Sequence, residues 1–165
     1  MTESFVPPTQ QLIEVEHHLG RLHDKTGATC VLLIDISGQL ISYRGTTEGI
    51  NLASLAALAA SDMAAVTEMA KLVSEGDQFK LLFHEGETQN VLISTVGGSL
   101  LLVVIFKASV RVGLVRLLTK ETVAELLKVT EKLQTPSDRV THIVDADFTT
   151  SLASELERAF GNRAK

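Results

Sequence analysis

Residues 91–106 read VLISTVGGSLLLVVIF, an apolar stretch without a charged side chain. The stretch invites comparison with a membrane span. Gly97-Gly98 divides it, however, into two runs of strand length, each too short to cross a bilayer as a helix. The glycine pair reads as a two-residue hairpin turn, a geometry that needs positive φ. Residues 100–106 are apolar at every position, as expected of a strand covered on both faces, so this strand belongs at the centre of a sheet.

Working outward, residues 30–34 (CVLLI) share that character and form the second central strand. Ser37-Gly38 is a turn signal, and residues 40–43 return as the other arm of a hairpin. Residues 79–84, 90–96 and 99–106 make a meander with Gly86 at its first turn. Three helices frame these strands. Residues 9–24 carry the stripe Leu12, Val15, Leu19, Leu22 and stop at Gly27. Residues 51–74 start at Asn51 as N-cap. Residues 109–133 start at Ser109, tolerate Gly113 in the first turn and bury Val115, Leu118, Leu126, Val129 and Leu133.

The expected fold is therefore α/β (α+β) in the order α-β-β-α-β-β-β-α. Placing the two apolar strands side by side gives a five-stranded antiparallel sheet of order 2-1-5-4-3, with the first and last helices on one face and the second on the other. The expected divisions are a flexible N-terminus (1–8), one domain (9–134), and a linker plus short helix (135–165). Leu152, Leu156 and Phe160 lie on one face of that last helix.

In this order residues 79–84 (FKLLFH) form an apolar sheet edge without proline, which proteins usually protect. Pairing with the same strand of a second copy would protect it. Leu81, Leu82 and Phe83, together with Ala57, are thus the expected contacts of a homodimer. The second helix is apolar on two sides. Leu52, Leu55, Ala59, Met63, Val66, Met69 and Val73 are assigned to the sheet, while Ala53, Ala57, Ala60 and Ala64 form a separate stripe with Thr67, Glu68 and Lys71 near its end. Small side chains let another backbone approach closely, so the stripe reads as a partner surface; packing beneath the molecule's own loops is the competing reading. Asp62 falls on the sheet side of the wheel, with solvent and a backbone group both open as its partner.

Chemistry is sparse. The net charge of −5 argues against nucleic acid, which demands a basic footprint. Cys30 lies in an apolar run and reads as a reduced core residue. The N-terminus lacks the basic and apolar regions of a signal peptide, so the chain is read as cytoplasmic without membrane insertion. His17, His18 and His23 are wrongly spaced for two ligands on one helical face, and His84-Glu85 is an ordinary strand-end pair. No nucleophile elbow, Cys-x-x-Cys pair or phosphate loop occurs. Arg44, Arg111 and Arg116 could act on a partner's nucleotide by residue type alone, though each reads better as a surface charge. The expectation is no enzyme, no cofactor and no metal.

Several segments in the right order resemble the Roadblock/dynein-light-chain domain. VLLIDISGQLIS (31–42) is similar to its first hairpin, and LASLAALAASDMAAVTEMAKLVSE (52–75), FHEGE (83–87) and LLVVIF…GLVRL (101–117) are similar to the bacterial MglB branch. The resemblance spans about residues 10–134. It implies a homodimer that binds the GTP-bound state of a Ras-like small GTPase of the MglA type over the paired second helices. It further implies faster hydrolysis through reshaping of the GTPase, without an arginine finger, in cell polarity or motility. By that resemblance Ala60 and Ala64 occupy small positions of the partner surface, and the helix carrying Leu152, Leu156 and Phe160 could touch the GTPase. Ser61-Asp62 stands where the family often has glycine-asparagine, which affects partner choice. A Roadblock scaffold that binds without stimulating hydrolysis, a profilin-like or Longin-like ligand sensor, and a purely structural dimer are the rival readings.

Overall fold

The computed structural model describes residues 9–73 and 79–131. Its elements run α1 (Thr9–Thr26), β1 (Cys30–Asp35), β2 (Leu40–Gly45), α2 (Leu52–Leu72), β3 (Leu81–His84), β4 (Gln89–Val96), β5 (Leu100–Lys107) and α3 (Val112–Glu131). The strands form one antiparallel sheet of order β2-β1-β5-β4-β3, as expected from placing the two wholly apolar strands together. Cys30 pairs with Ile105 and Asp35 with Leu100, so β1 and β5 match over the whole of β1.

The strand alternation divides the interior into two layers. Val31, Leu33, Leu102, Val104 and Phe106 face Val15, Leu19 and Leu22 of α1 and Val115, Leu126 and Val129 of α3. Cys30, Leu32, Ile34, Leu101, Val103 and Ile105 face α2. Cys30 is fully buried, and burial pushes its thiol pKa up, which disfavours the reactive thiolate. Thr119, in the middle of α3, is also fully buried, and its hydroxyl has no hydrogen-bond partner among the described residues.

Two turns differ from expectation. Val96 pairs with Leu100, so the β4–β5 hairpin turns over Gly97, Gly98 and Ser99, a three-residue loop in which Gly97 has positive φ (65°) and Gly98 does not. At the start of α3, Ser109 is not the cap. The amides of Leu114 and Val115 donate to the carbonyl of Arg111, and the Val110 amide closes a turn onto Lys107. That turn uses up the residues around Ser109 before the helix begins. Leu133 lies outside the described residues.

The β1–β2 connection is pinned by Asp35. One carboxylate oxygen accepts from the Ser37 amide (2.8 Å), the Ser37 hydroxyl (2.6 Å) and the Gln39 amide (2.9 Å). Burial acts to raise the pKa of Asp35, but hydrogen bonds from the Ser37 hydroxyl and the amides of Gln39, Ser37 and Gly38 outweigh it, and the net shift is downward. Beyond the turn the register slips between Leu33 and Ile34, a bulge that leaves Ile41 as the extra residue of β2. By length and composition α2 would suit a membrane span, yet its inner side lies on the sheet as a core helix does.

Candidate partner-binding surface

Asn51 starts α2 as expected, its side-chain oxygen accepting from the Ser54 amide at 3.0 Å. The buried residues of the helix are Ala56, Ala59, Ala60, Met63, Val66 and Ala70. Spacings of three and four place them on one face, and four alanines let the helix lie close to the sheet. Leu52 and Leu55 pack at the margin of this core.

This arrangement corrects the division of α2 expected from side-chain size. Ala60 is 7% exposed and belongs to the core, so the separate alanine stripe reduces to Ala53, Ala57 and Ala64, all exposed. Met69 is 51% exposed and Val73 is exposed, so neither packs on the sheet. Bulk orients the wheel one way, whereas the close approach to the sheet selects the face rich in alanine. Leu58 and Leu72 complete the outward face, Leu72 being 85% exposed. The signal for both is in the sequence, where four- and seven-residue spacings link Leu58, Ala65, Met69 and Leu72 on one side.

Polar groups along this helix are largely committed. Ser61 and Thr67 donate their hydroxyls to the carbonyls of Ala57 (2.9 Å) and Met63 (2.8 Å). Lys71 and Glu68 pair at 2.7 Å, one turn apart. Asp62 bonds no backbone group but keeps the solvent contact expected of it: its side chain is 37% exposed, and its carboxylate meets His84 Nε2 at 2.5 Å, tying the middle of α2 to the end of β3. His84 is thus more than an ordinary strand-end residue, because it links the helix surface to the sheet edge.

A cleft of about 320 Å³ borders α2 where Ala64, Thr67 and Glu68 approach Gly97, Gly98 and the exposed Ile36. Ile36 follows the last residue of β1, where no strand periodicity marks it. Its amide donates to the Ser99 carbonyl at 3.1 Å, which holds it beside the β4–β5 turn. At the sheet edge Leu81, Leu82 and Phe83 are half-buried. Phe83 stacks on Phe106 with ring centroids 6.3 Å apart, and Leu82 packs on the α2 side of the sheet.

The residues considered for chemistry stay apart. Arg44 pairs with Glu16 at 2.7 Å, and Arg111 lies at the entrance to α3. Arg116 borders a groove on the opposite face of the sheet from α2. The His17 and His18 rings meet edge to face at 5.8 Å, while His23 contacts Asp24 at 3.0 Å. Burial lowers the pKa of His18, favouring its neutral form. Among the described residues no group of three or more His, Cys, Asp or Glu side chains could hold a metal ion. Leu152, Leu156 and Phe160 lie outside the described residues.

The Roadblock/LC7 domain profile matches residues 14–106, more than half of the chain. No curated protein matches the chain. Among solved structures, MglB of Myxococcus xanthus is 39% identical, with a TM-score of 0.70 over 73% of this chain and 97% of that one. The gliding protein MglB of Thermus thermophilus is 27% identical, with a TM-score of 0.74 over 80% of this chain and 99% of that one. An MglB described as having a tetrameric arrangement also scores 0.74 at 27% identity, covering 80% of this chain and 98% of that one. Sheet order, helix placement and these matches agree: the chain belongs to the Roadblock/LC7 family and is similar in structure to MglB proteins.

Proposed function

We propose that this chain is a cytoplasmic, homodimeric regulator of an MglA-type Ras-like small GTPase, raising GTP hydrolysis without contributing a catalytic residue. The observation that supports this reading is the outward face of α2. It offers Ala53, Ala57 and Ala64 as points of close approach, beside Leu58, Met69 and Leu72, on a chain that is 39% identical to an MglB. Exposed apolar area of this kind marks a protein contact. Glu68 and Lys71 at the end of the helix supply a polar rim.

The homodimer forms through the β3 edge, where Leu81, Leu82 and Phe83 meet the same strand of a second copy and two sheets become one. That pairing removes an open apolar edge. It also brings two copies of α2 near one another as a platform, with Ala57 at their junction. The platform acts allosterically: it binds the GTP-bound partner more tightly than the GDP-bound one, and every ~1.4 kcal/mol of that preference shifts the populations tenfold. The GTPase's own groups then carry out the hydrolysis. Regulation of this kind serves cell polarity or motility.

The test is GTP turnover by an MglA-type GTPase with and without this protein, alongside an Ala53→Arg/Ala64→Arg variant. Acceleration lost in the variant, with sedimentation showing an unchanged oligomer, supports activation through α2. Binding without acceleration would replace this reading with that of a scaffold.

A further inference from the structure

On the side of the sheet opposite α2, an open groove of about 730 Å³ runs between α3 and the β3–β4 edge. Leu81, Leu117 and Leu127 give it an apolar lining, and Leu117 is 56% exposed although it lies on a helix that buries its other face. Its charged residues are Lys80, Arg116 and Lys120, and no acidic side chain among the described residues lines it. In a chain of net charge −5, this single-sign border runs against the whole.

The segregation has a structural origin. On α3 the carboxylates of Glu121 and Glu125 fall on the side facing α1, beside His18 and Arg21, and Glu125 also accepts from Lys128 at 3.0 Å. Arg116 and Lys120, one helical turn apart, are left on the groove side. Lys80 stands opposite them, its carbonyl fixed to β4 by the Thr95 amide (3.1 Å) and the Ser94 hydroxyl (3.2 Å). Among the described residues none of these three cations has an ion-pair partner.

We infer that this groove docks an acidic amphipathic helix of a second protein, distinct from the GTPase. Its apolar side chains seat on Leu117, Val123 and Leu127 of α3, and its carboxylates reach Lys80, Arg116 and Lys120. An apolar trough with a cationic border selects a segment carrying both features, since apolar contact supplies affinity and complementary charge supplies orientation and encounter rate. A second copy of the same groove is a poor occupant, because it would set cation against cation. From Arg116 to Leu127 the helix rises about 16 Å, room for about three turns of a docked helix. The surface is separate from α2, so this inference does not rest on the GTPase reading.

The experiment selects random peptides of about 16 residues, long enough for four turns, from a displayed library on the full chain. Enriched peptides are then measured by fluorescence anisotropy. The expected peptides are acidic with leucine-like residues at spacings of three and four, and they bind more weakly as salt rises. The Lys80→Glu/Arg116→Glu/Lys120→Glu variant should weaken them at least about tenfold. Leu117→Ser should also weaken them, which bulk electrostatic attraction alone would not produce. No enrichment, neutral or basic peptides, or equal binding to the charge-reversed chain would overturn the inference. So would peptides that reproduce residues 132–165, which would give the groove to the chain itself. A change in sedimentation of the charge-reversed chain would make the groove a contact between copies and overturn it likewise.

Discussion

Gly38 stands against the backbone of Ala57: a β-carbon added at Gly38 would lie 2.8 Å from the Ala57 Cα and 3.3 Å from the Ala56 carbonyl oxygen. The β1–β2 turn therefore rests on α2 within the stretch that also forms its outward face. Gly38 has a φ of 87°, a region that suits glycine and strains other residues. Gly38→Ala combines strain with overlap against a backbone that cannot swing aside. The expected loss is about 2–4 kcal/mol of unfolding free energy, read by urea denaturation at fixed protein concentration. A loss below half a kilocalorie would show that the turn can lift from the helix.

Ala60 and Ala64, one turn apart on α2, should separate folding from binding. Arginine at Ala60 inserts a charge into the packed layer between α2 and the sheet, and Ala60→Arg should destabilise by about 3–5 kcal/mol. Ala64 is exposed, so Ala64→Arg should change stability by about half a kilocalorie or less while disturbing partner binding. Paired denaturation curves decide this, and equal losses would contradict the placement of Ala60 in the core.

Removing the Asp35 carboxylate should loosen the β1–β2 turn. Asp35→Ala deletes three hydrogen bonds to a charged acceptor and should lower stability by about 1–3 kcal/mol at neutral pH. Because the folded-state pKa of Asp35 lies below its ordinary value, its ionisation stabilises the fold above the ordinary aspartate range. That contribution fades as pH falls through the folded-state value. The gap in urea midpoint between Asp35→Asn and the parent chain should therefore narrow with acidification, and a constant gap would count against the charge.

Thr119→Val is expected to leave stability unchanged or raise it by about 1 kcal/mol. The substitution keeps the shape of a fully buried side chain and removes a hydroxyl with no partner among the described residues. A loss greater than about 1 kcal/mol in thermal or urea unfolding would reveal a partner for that hydroxyl.

Strand order, the two-layered core and the start of α2 were legible in the chain itself. Uninterrupted apolar runs at 30–34 and 100–106 can be satisfied only with layers on both sides, and Asn51 offers a capping side chain where the helical period begins. The α2 surface was only partly legible. A helical wheel gives the relative angles of Ala60, Ala64 and Met69, but it cannot fix which angle points inward when apolar residues surround the helix. Contact with the sheet decided that, favouring alanine over bulk because alanine permits the closest approach.

The pairing of Asp62 with His84, the position of Ile36 and the cationic groove all join residues from distant parts of the sequence. Periodicity acts within one element and carries no information across that separation. By itself the sequence determined that the two wholly apolar strands must leave water on both faces, and the strand order that lets them do so, because apolar burial is set by side-chain chemistry. Only the tertiary structure decided which of several apolar and charged faces remain outside, because that depends on how closely the backbones pack.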